Sequence, residues 1–221
     1  MRKSALIIGV FFTIIGLSQR QNLIHISFEA EWEGKKLEDK LQFFGKDSIQ
    51  ITEFRFYVSN FVFERDGTGF LEQDSYHLID LFVKTNFEVQ FPPNFPFDTL
   101  EFYLGIDSLT NVDGVIGGDM DPTLGMYWTW QSGYINLKLE GKSIQSPKPK
   151  HDFQFHLGGY LPPFLAAQKI RLPANSNQIR IGFDLKKFFE KLDIQKTPTI
   201  MSPGKESVNL SKHAAECFYI K

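Results

Sequence analysis

The chain has 221 residues, of which 42% are hydrophobic and 15% aromatic, and its formal net charge at neutral pH is −2. This charge, without any run of lysine or arginine, argues against nucleic-acid binding, because the phosphate backbone requires a concentrated positive field. The length suits a single domain with a sizeable hydrophobic core.

The N-terminus has the pattern of a secretory signal peptide. Two basic residues precede an uncharged apolar block at residues 5–17, and small residues at Gly16 and Ser18 suit signal peptidase. The block is shorter than the roughly 20 residues that a membrane-spanning helix needs. We expect residues 1–18 to be removed and residues 19–221 to form a periplasmic or secreted domain. No cysteine stands directly after the block to carry a lipid, so we expect no membrane anchor after cleavage.

Short segments of alternating apolar and polar residues follow along the chain and predict β-strands with one buried face. They lie at residues 24–28, 54–58, 76–83, 87–91, 100–104, 134–140, 153–156 and 179–183. Near the C-terminus, Asp184 is predicted to cap a short helix, and a second helix is predicted at residues 206–217. The only cysteine, Cys217, cannot form an internal disulfide and is predicted to be a buried structural thiol. The pattern predicts a mostly β, single-domain, β-sandwich-like fold.

The densest group of aromatic residues lies at residues 126–134 and contains two of the three tryptophans. If this segment is extended, Trp128, Trp130 and Ser132 share one face and give an aromatic wall beside the polar face of the next strand. Met126 and Tyr134 are further candidates for this wall. The alternative interpretation is that both tryptophans pack in a hydrophobic core with their indole N–H groups satisfied.

Four histidines on separate predicted elements are candidates for metal binding. His156 lies on the polar side of its strand just before two glycines, while His25, His77 and His151 lie elsewhere, and no HxH or HExxH spacing occurs. Imidazoles from different strands can still converge on copper or zinc, together with methionine sulfur. For any one of them, an ordinary hydrogen-bonded or surface role is the alternative.

Other chemistry is poorly supported by the sequence. Four aspartates lie in a glycine-rich stretch, at positions 107, 113, 119 and 121. Their spacing does not match the calcium-binding loop of an EF-hand. We therefore interpret them as turn residues rather than as calcium ligands. The sequence contains no nucleophile elbow, dinucleotide fingerprint or P-loop. We therefore expect that the chain is not an enzyme.

Six motifs, in this order, resemble the MbnP-like family of exported bacterial proteins, the methanobactin-associated copper-binding protein-like family. They are FRFYVSN at 54–60, SYHLID at 75–80, LGIDS at 104–108, GMYWTWQSGY at 125–134, KLEG at 138–141 and FHLGG at 155–159. Together they span most of the chain beyond the predicted signal peptide. The resemblance implies a β-rich, sandwich-like domain.

The resemblance also implies a copper site. In the copper-binding members, histidines hold copper together with a tryptophan that a partner di-haem cytochrome c peroxidase has oxidised to kynurenine. By this resemblance, His156 is the first copper ligand, His25 or His77 is the second, and Trp128 or Trp130 is the candidate for oxidation. The alternatives are a β module that binds a non-metal ligand or a protein, and a redox substrate of the peroxidase.

Overall fold

The computed structural model describes residues 22–37, 43–44, 48–73, 75–92, 95–114, 116–130 and 133–221. The predicted signal peptide lies outside the described residues. Within these ranges no helix has the length and apolar character to cross a bilayer. The strands are β1 (Asn22–Trp32), β2 (Lys35–Lys36), β3 (Phe43–Phe44), β4 (Ile49–Arg65), β5 (Thr68–Leu71), β6 (Tyr76–Asp80), β7 (Asn86–Phe91), β8 (Thr99–Leu104), β9 (Tyr127–Trp128), β10 (Gly133–Lys142), β11 (Asp152–Gly158), β12 (Gln168–Pro173), β13 (Gln178–Asp184), β14 (Thr199–Ile200) and β15 (Phe218–Ile220). The helices are α1 (Ser108–Asp113), α2 (Leu185–Glu190) and α3 (Lys205–Ala215), and two 3₁₀ turns cover Gly118–Met120 and Pro122–Leu124.

The strands form two packed sheets. In the smaller sheet, β1 pairs with parallel β13 on one edge and with antiparallel β7 and β2 on the other, and β15 lies beyond β13. The larger sheet runs in the order β12, β8, β4, β10, β11, β14, and the long strand β4 also pairs with β3, β5 and β6. The short strand β9 pairs with β10. The mostly β, sandwich-like prediction is confirmed.

Phenylalanines from the facing sides of the two sheets form the main core. Phe28 on β1 contacts Phe56 and Phe102 of the larger sheet, with ring centroids 5.5 and 6.2 Å apart. Phe54 of β4 contacts Phe183 of β13 at 5.0 Å. Burying each such ring stabilises the fold by about 1.5–3 kcal/mol. The alternation of apolar residues in these strands thus locates the interface between the sheets.

The C-terminal helices follow the sequence prediction. Asp184 caps α2, because its carboxylate accepts a hydrogen bond of 2.9 Å from the backbone N–H of Lys187. The second predicted helix is α3, after which Cys217 is buried with its thiol 3.2 Å from the carbonyl oxygen of His213. Burial raises the pKa of this thiol to about 12. The prediction of a buried structural thiol is confirmed.

A second hydrophobic cluster lies on the outer face of the larger sheet. Tyr57 belongs to it, and since Phe56 and Val58 on either side point into the main core, Tyr57 points outward. Residues 116–130, here called the cover segment, fold over this face. The cluster consists of Tyr57, Leu78, Ile106, Met120, Met126, Trp128, Tyr134 and Ile135.

Side chains of the sheet and of the segment itself fasten the cover segment. The carboxylate of Asp119 accepts hydrogen bonds from the backbone N–H of Leu78 at 3.0 Å and from the ammonium of Lys84 at 2.5 Å. The hydroxyl groups of Tyr57 and Tyr134 donate to the carbonyl oxygens of Asp119 and Met120, each at 3.0 Å. The cover segment is therefore an ordered part of the fold that encloses the outer face.

Candidate functional site

The three histidines predicted as metal ligands lie in three different parts of the sandwich. Phe155 and Leu157 on β11 point into the main core, so His156 between them points to the outer face of the larger sheet. His77 on β6 stacks on Phe87 of the smaller sheet at a centroid distance of 3.6 Å, which places it between the sheets. His25 lies on the solvent-facing side of β1, where its side chain is 43% exposed.

Each of these histidines has a glutamate partner of its own. His156 Nε2 lies 2.6 Å from an oxygen of Glu140, and His77 Nε2 lies 3.0 Å from both oxygens of Glu72. His25 Nδ1 lies 2.9 Å from Glu88, its register partner on β7. Because facing sheets are separated by about 10 Å, side chains on their opposite outer surfaces cannot share one ion. The structure does not bring the three histidines together.

His156 belongs to a network of charged residues on the outer face of the larger sheet, here called the polar network. Strand register lines up Asp80, Arg55, Lys138 and His156 across β6, β4, β10 and β11. Glu53 and Glu140 face each other in the next row and complete the network. The network comprises Glu53, Arg55, Asp80, Lys138, Glu140 and His156.

Short contacts connect the members of the polar network. Lys138 Nζ lies 2.9 Å from Glu53 and 3.8 Å from Glu140, and Arg55 Nε donates to Glu53 at 2.7 Å. The hydrogen bond from His156 lowers the pKa of Glu140, burial opposes this effect, and the charge of Lys138 reinforces it. The network contains three carboxylates and the two cationic side chains of Arg55 and Lys138 besides the imidazole, so its carboxylates exceed its Lys and Arg cations by one. A cation bound at His156 would offset that excess.

The polar network is linked to the cover segment through Arg55. Its guanidinium donates a hydrogen bond of 2.6 Å to the carbonyl oxygen of Leu124, two residues before Met126. The backbone N–H of Ile135 on β10 bonds to the carbonyl oxygen of Met126 at 2.9 Å. These two bonds hold the segment directly ahead of Trp128.

Trp128 packs on β11 next to His156. A β-carbon built on Gly158 would lie 2.7 Å from Cζ3 and 2.9 Å from Cη2 of Trp128, so the indole rests on the glycine backbone. Gly158 and His156 are two residues apart on one strand face, a separation of about 6.6 Å along the strand. Trp128 is 5% exposed, and its indole N–H has no hydrogen-bond partner among the described residues. Trp128 and His156 are thus neighbours on the outer face.

The two tryptophans differ in exposure. Trp128 and Trp130 were predicted to share one face only if the segment is extended. The strand β9 ends at Trp128, however, and a turn begins at Thr129. Trp130 is 64% exposed, and its ring centroid is 5.9 Å from that of Trp128. The core interpretation therefore holds for the burial of Trp128, although its indole N–H has no partner in the part of the chain that the structure describes. It does not hold for the exposed Trp130.

The remaining wall residues are both buried. Met126 is fully buried in the outer cluster, and Tyr134 is 1% exposed, with its ring 5.7 Å from that of Tyr57. Burial is the largest influence on the pKa of the Tyr134 hydroxyl and raises it. Both residues pack beneath the cover segment and shape the surroundings of Trp128.

The charged partners of His156 were not predictable from the sequence. Lys138 and Glu140 lie on the polar side of a strand that was predicted, but their contact with His156 depends on the pairing of β10 with β11. Among the described residues, no group of three or more His, Cys, Asp or Glu is close enough to hold a metal.

The sequence model of the MbnP family matches residues 21–202. The chain belongs to the MbnP family. Among solved structures, MbnP from Methylosinus trichosporium is similar at a TM-score of 0.58 and 15% identity, covering 84% of this chain and 82% of that one. At this identity the similarity demonstrates a common fold. No curated protein matches the sequence.

The MbnP match contains the polar network, the cover segment and both tryptophans, and it ends before α3 and β15. The outer face of the larger sheet is therefore built entirely from the part of the chain that the MbnP family describes.

Proposed function

We propose that this chain is an exported, non-enzymatic copper-binding protein that uses His156 as its first ligand. One observation carries the proposal: a buried imidazole, hydrogen-bonded to a carboxylate, lies beside a buried tryptophan on the face that the MbnP match includes. Membership of the MbnP family supports a copper-related role. Imidazole nitrogen is a ligand that copper accepts readily.

The residues around His156 fit a copper ion in part. Metal-binding histidines usually donate their second ring nitrogen to a carboxylate, as His156 does to Glu140. The excess negative charge of the polar network also favours a cation. When bound, copper would be held by His156 and by a further ligand from the cover segment.

A tryptophan-derived ligand would come from the pair Trp128 and Trp130. Trp130 is the member that an external oxidant could reach, because it is 64% exposed while Trp128 is 5% exposed. We therefore propose Trp130 as the residue that a di-haem peroxidase partner would oxidise. His25 and His77 stay predictions for the second ligand, but His25 lies on the outer face of the smaller sheet and His77 lies between the sheets.

Elemental analysis of the mature protein from its native periplasm, combined with intact mass, tests the proposed function. We expect near-stoichiometric copper, a mass that lacks residues 1–18 and a shift that fits an oxidised tryptophan at Trp130 in peptide mapping. A protein without copper that takes up none on titration and has an unmodified mass would contradict the proposal.

The exposed Trp130 favours a second candidate function. Its ring and that of Trp128 form an aromatic surface on which a small non-metal ligand could stack, since aromatic rings supply contact area at little entropic cost. Binding of such a ligand would be unchanged by a copper chelator and lost in Trp130→Ala. Copper binding through His156 would instead be lost when the chelator removes the copper.

A further inference from the structure

Two connections between strands meet at one end of the larger sheet. Residues 105–132 join β8 to β10, and residues 159–167 join β11 to β12. β8 ends where its antiparallel partner β12 begins, and β11 ends where its antiparallel partner β10 begins. The hydroxyl of Ser108 donates to the carbonyl oxygen of Tyr160 at 2.8 Å, and this hydrogen bond joins the two connections. They therefore form one continuous surface.

This surface exposes an unbroken run of apolar residues. Residues 161–165 have the sequence LPPFL, and all five are exposed. On the other connection, α1 exposes Leu109 by 80% and Val112 by 66%. Residues 161–165 together with Leu109 and Val112 are here called the apolar end. A run of four or more exposed apolar residues is unfavourable in water and points to a functional contact.

A recess in the apolar end has room for one apolar side chain. It has a volume of about 180 Å³ and lies between residues 159–164 and Pro203. A β-carbon on Gly159 would lie 3.2 Å from Cβ of Pro203, so the two segments are in close contact. Protein interfaces concentrate their binding energy where a side chain of one protein fills a pocket of the other.

The charged residues of the two connections are all acidic. Neither connection contains a lysine or an arginine, and the acidic residues are Asp107, Asp113, Asp119 and Asp121. Among the described residues, Asp119 alone of these four pairs with a cation, the ammonium of Lys84 at 2.5 Å. The apolar end is therefore bordered by uncompensated negative charge.

We propose that the apolar end is a docking surface for a protein partner whose apolar face is bordered by lysine and arginine. Positive charge on the partner complements the aspartates and excludes acidic competitors. A second copy docked through the same face would bring two acidic borders together, and a bilayer of anionic lipid would repel them. The charge of this end thus favours a basic protein. The inference goes beyond the proposed function, since it involves no metal.

The first test measures the binding of two peptides to the mature protein. One peptide is an amphipathic helix of leucine and lysine, and the other has glutamate in place of each lysine. Fluorescence anisotropy should show saturable binding of the Leu/Lys peptide that weakens as salt is added, and binding of the Leu/Glu peptide that is weaker by about tenfold or more. Equal binding of the two peptides, or binding of neither, would overturn the proposal.

The second test locates the binding surface with variants. Leu109→Ser combined with Leu161→Ser removes one apolar side chain from each connection, and we expect about tenfold weaker binding of the Leu/Lys peptide. Ile144→Ser is the matched control, because Ile144 is 63% exposed and follows β10 at the opposite end of that strand. It should bind like the parent, and thermal unfolding should show that both variants fold. Unchanged affinity in the double variant would overturn the proposal.

Two further measurements test the other occupants. Sedimentation should show a monomer, and a dimer that the double variant dissociates would assign the surface to a second copy. Flotation with vesicles of phosphatidylcholine, alone or mixed with phosphatidylglycerol, should leave the protein unbound. Vesicle binding that the double variant loses would assign the surface to a lipid bilayer. Either result would overturn the proposal of a protein partner, and neither depends on whether the chain binds copper.

Discussion

Gly158 and Trp128 are in such close contact that no side chain fits between them. A β-carbon on residue 158 would lie 2.7 Å from the indole and equally close to the backbone oxygen of Tyr134. The contact brings the cover segment down onto β11 next to His156. A glycine is required here by the close approach of an aromatic ring and a neighbouring strand.

Gly158→Ala should therefore destabilise the protein. Overpacking at such a contact costs about 1–3 kcal/mol in the free energy of unfolding, measured by urea denaturation. The change in intrinsic tryptophan fluorescence should show that the indole has moved. Gly117→Ala is the control, because a β-carbon there meets nothing within 4 Å, and it should leave stability nearly unchanged. Equal stability of the parent and Gly158→Ala would mean that the indole is not seated as described.

Copper binding should depend unequally on the three predicted histidines. We expect His156→Ala to abolish stoichiometric binding and His25→Ala to leave it intact, because His25 lies on the solvent-facing side of the other sheet. His77→Ala should retain copper but lose stability, since His77 stacks on Phe87 between the sheets. Copper titration and thermal denaturation of the three variants check this order. Loss of copper in His25→Ala alone would reverse our assignment of the first ligand.

Arg55 should control the mobility of the cover segment. Arg55→Met removes the hydrogen bond to Leu124 and the contact with Glu53, and a hydrogen bond of a charged group contributes about 1.5–3 kcal/mol. Hydrogen exchange of residues 116–130 should become faster. Arg171→Met is the control, since Arg171 forms an exposed ion pair with Glu64, and such pairs contribute about 0–1 kcal/mol. Unchanged exchange in Arg55→Met would show that other bonds hold the segment.

The polar network should make stability depend on pH through Glu140. The pKa of Glu140 is lowered from 4.5 in the folded protein, mainly by the hydrogen bond from His156. A lowered carboxyl pKa contributes stability above the unfolded value, and this contribution is lost as pH falls through the folded value. The difference in unfolding free energy between the parent and Glu140→Gln should thus narrow as the pH falls below 4.5. A difference that widens on acidification would contradict this sign.

The thiol of Cys217 should be unreactive in the folded protein. Burial raises its pKa to about 12, so the reactive thiolate is scarce at neutral pH, and the side chain is 1% exposed. Labelling by iodoacetamide should occur only when denaturant unfolds the chain. Mass spectrometry after timed labelling measures this, and rapid modification without denaturant would show that β15 does not cover the core as described.

Local sequence patterns predicted most of the longer strands and both C-terminal helices, because the causes of these elements are local. The alternation around Phe54 and Phe56 arises from a strand with one face in the core, and Asp184 caps α2 through a bond to a residue three positions away. The aspartates at 107 and 121 accept bonds from nearby threonines at turns, as turn chemistry predicted. The helix α1 was not predicted, since its six residues are too few to show a helical period.

Three features can be read from the sequence alone: the alternation that forms the sandwich, the motifs of the MbnP family, and the place of His156 on a polar strand face. The pairing of His156 with Glu140 and its nearness to Trp128, with His25 and His77 elsewhere, became visible in the folded protein. The difference arises because a strand's own residues set which face a side chain occupies. The register between strands and the path of a covering loop depend on contacts between residues far apart in the chain, which no local pattern specifies.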